Sequence, residues 1–168
     1  MGNQYYFHDV DKSARKPTED IMEWLKQWYT VINVEDDKTW RQRDVDLLAL
    51  QSLDGKFPTC TKLEIKVDKY HGTPNYCCEI ISNTSKNSIG CWYQTQSDYI
   101  VYYFPNIREL HLINTKQAQE YVKANESKFK NLNVDTTGRN GEYWYSTLNK
   151  LVPRKEMQKH VDVKIFKI

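Results

Sequence analysis

The sequence predicts an α/β domain with a mixed central β-sheet flanked by helices. Apolar residues recur at helical spacing near the start of the chain, at Ile21, Trp24, Leu25 and Trp28. They recur again in short strand-like runs through the middle, followed by another helical stretch. A helix, a series of strands and a further helix place helices against a sheet. At 168 residues, 39% of them hydrophobic, the chain is long enough to bury a real core. We read it as a single domain over 1–168, with a core over about 17–125 and a C-terminal extension over about 126–168.

"PTEDIMEWLKQWYTVIN" opens with the first helix. Pro17 and Thr18 offer a start, and Glu19 and Asp20 fall in the first turn, where acidic groups favour the helix dipole. "YTVINV" leads into a first strand, "DVDLLALQSL" forms a second, and "LDGKF" is a turn. "TKLEIKVDKY" and "NYCCEIIS" are the next two strands, and "NTSKNSIG" is a loop by composition. "CWYQTQS" is a short helical or irregular piece before the apolar strand "DYIVYYFP". After "ELHLIN" comes the helix "TKQAQEYVKANES", with Thr115 as the expected N-cap. The end reads as a loop "TTGRNG", a strand-like "EYWYSTLNKLV", a short helix from Pro153 and a closing strand "VDVKIFKI".

A net charge of +2 excludes neither a nucleic-acid nor a small-molecule partner, because binding depends on where charge clusters. Cys60, Cys77, Cys78 and Cys91 form no C-x-x-C pair, and the adjacent pair points to opposite faces of a strand. They read as reduced thiols packed as small apolar residues. The N-terminus lacks the apolar core of a signal peptide and no stretch is long enough to span a bilayer. A soluble cytoplasmic protein with no membrane partner is the expectation.

The charges inside "KLEIKVD" need a reason. Side chains alternate along a strand, so Glu64 and Lys66 share one face and Leu63, Ile65 and Val67 the other. A solvated strand face carrying a weak ion pair is the ordinary explanation. Asp46 repeats the oddity at the head of "DLLAL". If the two strands lie side by side, as successive strands usually do, Asp46 and Glu64 converge at one end with Lys66 a step beyond. Two adjacent carboxylates repel unless a cation joins them, and Mg²⁺ suits oxygen ligands while keeping several waters. Lys66 beside such a water would orient it or take its proton. The constellation suits phosphodiester hydrolysis.

"DVDLLAL" followed by "LEIKVDKY" resembles the core motif of the PD-(D/E)XK nuclease superfamily, the restriction-endonuclease-like fold. The preceding helix, with Glu19 or Glu23, and the following "CWYQTQSDYIVYYF" segment also resemble that core. The resemblance implies a Mg²⁺-dependent DNA endonuclease, with Mn²⁺ as a substitute. It assigns Asp46, Glu64 and the Ile65 carbonyl as metal ligands and Lys66 as the lysine acting on water. Asp44 competes with Asp46 for the aspartate's role; Asp46 is preferred because it borders the apolar run.

Glu19 is a candidate outer metal partner, although a first-turn role explains it equally. Glu79, interrupting "YCCEIIS", is a partner for Lys66 or a further ligand. Lys69, His71, Arg154 and Lys155 are candidates for the DNA backbone, whose binding would then depend on salt. A chain of this size would cut both strands of a duplex as a homodimer. The alternative is a non-catalytic nucleic-acid-binding or assembly protein on the same fold.

Overall fold

The computed structural model describes residues 5–51, 59–137 and 142–168. In chain order the elements are β1 (Tyr5–Tyr6), α1 (Phe7–Leu25), β2 (Thr30–Asn33), α2 (Lys38–Arg41), β3 (Leu47–Gln51) and β4 (Thr59–Val67). Then come β5 (Asn75–Asn83), β6 (Ser88–Ile89), α3 (Cys91–Gln94), β7 (Tyr99–Phe104), β8 (Glu109–Asn114) and α4 (Thr115–Asn125). The chain closes with β9 (Lys130–Thr137), β10 (Tyr143–Pro153), α5 (Arg154–His160) and β11 (Val163–Lys167). No helix among the described residues is long and apolar enough to cross a membrane.

Six strands form a mixed sheet in the order β11-β8-β7-β4-β3-β2. Its β4–β7 pair is parallel and its other pairs are antiparallel. A parallel pair needs a crossover, and the crossover here carries β5, β6 and α3 into a second sheet. That five-stranded sheet has the order β1-β9-β10-β5-β6.

Alternation along the strands sends apolar residues of the six-stranded sheet into two cores. On one face Leu47, Ala49, Leu63, Ile65, Val101, Tyr103 and Leu110 pack against Ile21 and Leu25 of α1. On the other, Ile100, Tyr102, Phe104 and Ile113 meet Tyr76, Cys78 and Val152 of the second sheet, together with Trp92, α4 and α5. β7 lies between both cores, and this explains its unbroken apolar sequence. Glu64 and Lys66 therefore share the face turned toward the second sheet, Glu64 buried and Lys66 half-exposed.

Two expectations need correction, and one strand was not foreseen. The first helix begins at Phe7, so Pro17 lies inside it rather than opening it. Asn114, not Thr115, caps α4: its side chain accepts the Gln117 N–H at 3.1 Å, and Thr115 is already helical. β9, a mostly polar segment for which no strand was expected, pairs along β10. The expected turn "LDGKF" and residues 138–141 of "TTGRNG" lie outside the described residues.

Candidate active site

The β3–β4 ladder sets Leu47 opposite Leu63 and Leu48 opposite Lys62. Continued by two residues, it would place Val45 opposite Ile65. The chain leaves the sheet instead, through Asp44 in the left-handed region at φ 46°. Asp46 keeps backbone bonds to both neighbours: its N–H donates to the Leu63 carbonyl at 2.9 Å, and its carbonyl accepts the Val34 N–H at 2.8 Å. Its carboxylate then takes the place of the missing backbone, with Oδ2 accepting the Ile65 N–H at 2.7 Å. The N–H and carbonyl of a strand residue point to the same edge, so the Ile65 carbonyl also faces this corner.

Glu64 is only 4% exposed. Its Oε1 lies 2.8 Å from Lys66 Nζ. Asp46 is within hydrogen-bonding reach of Glu64. When both are ionised, Glu64 Oε2 has no donor. Burial pushes the Glu64 carboxyl up to about 8, against the pull of Lys66 and with the repulsion of Asp46 and Asp44 added. Burial also raises Asp46, against the Ile65 N–H and Lys66, and it raises Asp44.

Burial lowers Lys66, while the charges of ionised Glu64 and then of ionised Cys91 raise it, with a net direction well above the ordinary lysine range. The raised Lys66 favours its ammonium form, a hydrogen-bond donor beside Glu64. The Cys91 thiol is pushed up to about 12 by burial and stays neutral.

Glu79 reaches the cluster from β5, where its Oε1 accepts the Cys91 N–H at 3.3 Å and its charge raises Asp44. The predicted Asp46, Glu64 and Lys66 are thus brought together, with Asp44 and Glu79 beside them. Glu19 is not: it is exposed on α1, which packs on the opposite face of the sheet. Lys69 and His71 are exposed in the turn after β4, and Lys155 is exposed on α5.

Arg154 is already engaged. Its Nη2 donates to the carbonyls of Thr73 and, at 3.1 Å, His71, and its guanidinium lies 4.9 Å from the Phe104 ring centre. It clamps the β4–β5 turn. Cys91 went unrecognised in the sequence, because only packing between the two sheets brings it to Lys66. The four cysteines are free thiols, with Cys78 buried and Cys77 half-buried on the opposite face.

The cluster offers a divalent cation two carboxylates and a carbonyl. Among the described residues no group of three or more His, Cys, Asp or Glu is arranged to hold a metal. The donors still fit an oxygen-seeking ion that keeps most of its waters, because Glu64 Oε2 is buried without a donor. An open cleft of about 500 Å³ lies elsewhere, between Tyr121, Phe129 and His160, and shares no residue with the cluster. Comparison with protein-family models, with curated proteins and with solved structures gives no match.

Proposed function

We propose that this chain is a Mg²⁺-dependent DNA endonuclease on a restriction-endonuclease-like fold. The observation that carries the reading is the buried Glu64 carboxyl, held between Lys66 and Asp46 at the corner where Asp46 meets the Ile65 backbone. A solvated ion pair would not be buried there, and carboxyls crowded at one buried corner raise one another unless a cation joins them.

Asp46, Glu64 and the Ile65 carbonyl would hold the ion. When bound, Mg²⁺ supplies charge neutralisation at the phosphate and a water of lowered pKa. The chain's own residues do the rest. The Ile65 N–H fixes the Asp46 carboxylate at 2.7 Å, so its second oxygen is presented in one orientation. Lys66, as an ammonium, donates to a phosphate oxygen or to the oxygen of the attacking water. In the overall step that water forms a bond to phosphorus while the bond to one sugar oxygen breaks, and the proton the water gives up is balanced by one taken up from solvent at the leaving oxygen. A phosphate monoester and a hydroxyl result. In this reading duplex cutting uses two copies of the chain, one centre per strand, and a strict monomer that linearises plasmid would remove that part.

The test is supercoiled plasmid with Mg²⁺ or Mn²⁺, and with EDTA as control. We expect nicking that chelation abolishes, and a loss of about 10²-fold or more in Lys66→Ala with DNA binding retained. Asp46→Ala should behave alike. A parent protein that never cuts in either metal, yet binds DNA, would establish the alternative of a non-catalytic binding or assembly protein. The small number of side-chain ligands is the observation that favours that alternative.

A further inference from the structure

We propose that the Lys38–Arg43 segment is the lip over which the backbone of duplex DNA reaches this site. The inference rests on the nuclease reading for its choice of DNA. Glu64 is closed off, whereas Asp44, Asp46 and Lys66 are half-exposed. The centre therefore opens on the side where the chain enters β3, and residues 38–43 form the approach to Asp44.

Lys38, Arg41 and Arg43 are all exposed. None of the three forms an ion pair among the described residues. Four of the five carboxylates between residues 35 and 46 are engaged elsewhere. Asp37 caps α2, accepting the Thr39 and Trp40 N–H groups at 2.8 and 3.1 Å. Glu35 is bonded to Thr18 and Asn33. Asp44 and Asp46 belong to the centre, and Asp36 is exposed. Arg43 is braced with its guanidinium 5.5 Å from the Trp40 ring centre.

The lip is also fixed to the site. Val45 N–H donates to the Trp40 carbonyl at 3.2 Å, and Gln96 N–H donates to the Arg43 carbonyl at 2.9 Å. Thr95 Oγ1 donates to the Asp44 carbonyl at 2.6 Å. Three exposed cations without an ion pair, on a pinned turn adjoining carboxylates that need a phosphodiester brought to them, match a polyanionic backbone. Lys69, His71 and Lys155 have no such connection to Asp44.

The experiment is fluorescence anisotropy of a short labelled duplex in EDTA, across a salt series, so that it does not depend on cutting. Lys38→Ala/Arg41→Ala/Arg43→Ala should bind about tenfold or more weakly at low salt. Its log–log salt slope should fall by about 0.9 for each phosphate that the variant no longer neutralises. Lys123→Ala/Lys164→Ala, a control at exposed positions on α4 and β11, should change little. Unchanged affinity and slope in the triple variant would overturn the inference, and so would an equal loss in the control. Binding of phosphatidylserine vesicles by a parent that ignores the duplex would overturn it too. If the triple variant does not fold, Arg41→Glu alone gives the same readings. A parent that binds through this lip but never cuts refutes the nuclease reading and leaves the inference standing. Cutting with affinity unchanged in the variant does the reverse.

Discussion

The Glu64 carboxyl sits at about 8 because burial penalises its charge more than Lys66 favours it. A group held protonated by the fold adds stability that is complete below its unfolded value of 4.5 and is lost as pH rises through about 8. Every pH unit separating those two values is worth about 1.4 kcal/mol, so the ionised centre costs the metal-free fold several kcal/mol. Melting temperature should therefore fall as pH is raised toward 8. Glu64→Gln, which cannot ionise, should flatten that fall, while Asp46, also raised by burial, leaves a smaller slope in the same direction. Mg²⁺ should raise the melting temperature of the parent at alkaline pH and do little for the glutamine variant. Scanning fluorimetry across this range, with and without Mg²⁺, reads both effects. Equal slopes in parent and variant would mean that Glu64 is not the buried acid described here.

Gly90 shows how an element is fitted to the site. A Cβ there would lie 2.6 Å from the Ile80 carbonyl carbon and 2.7 Å from that of Glu79, closer than atoms pack. Without it, Gly90 N–H reaches the Ile80 carbonyl at 2.8 Å, and α3 starts directly against β5. That places the Cys91 N–H on Glu79 and the Cys91 thiol on Lys66. Gly90→Ala should lower stability by about 1–3 kcal/mol, read as a displaced urea midpoint. An unchanged midpoint would show that α3 has room to spare. The pair of β3 and β4 was legible in the sequence because neighbouring strands pair and alternation fixes their faces, so Asp46, Glu64 and Lys66 could be brought together from the sequence alone. Glu79 and Cys91 could not, since a contact between two sheets leaves no local pattern. β9 was missed for a related reason: "KNLNVDTT" is mostly exposed and polar, and only its pairing with β10 makes it a strand. Pro17 misled because proline suits a first helical turn, yet here the helix runs through it.

The two sheets are joined by a buried polar chain as well as by packing. Tyr76 on β5 and His111 on β8 are 0% and 2% exposed, with 2.6 Å between Tyr76 Oη and His111 Nδ1. His111 Nε2 lies 2.9 Å from Glu109 Oε1, and Lys167 on β11 reaches Glu109 Oε2 at 2.9 Å. Neutral His111 satisfies both neighbours if Nε2–H donates to Glu109 and Nδ1 accepts from the tyrosine. Burial lowers the imidazole, with Glu109 opposing. Its contribution to stability is therefore present above 6.5 and lost as pH falls through the depressed folded value. Below 6.5 this loss opposes the gain from protonated Glu64, so the net decline on alkalinisation should be clearest between about 6.5 and 8. Tyr76→Phe leaves Nδ1 buried without a donor and should cost about 1–3 kcal/mol. Since His111 and Tyr76 satisfy each other, Tyr76→Phe/His111→Phe should cost less than the two single changes together. Urea titrations of the four proteins close that cycle, and strictly additive losses would show that packing alone, without this hydrogen bond, holds the sheets in register.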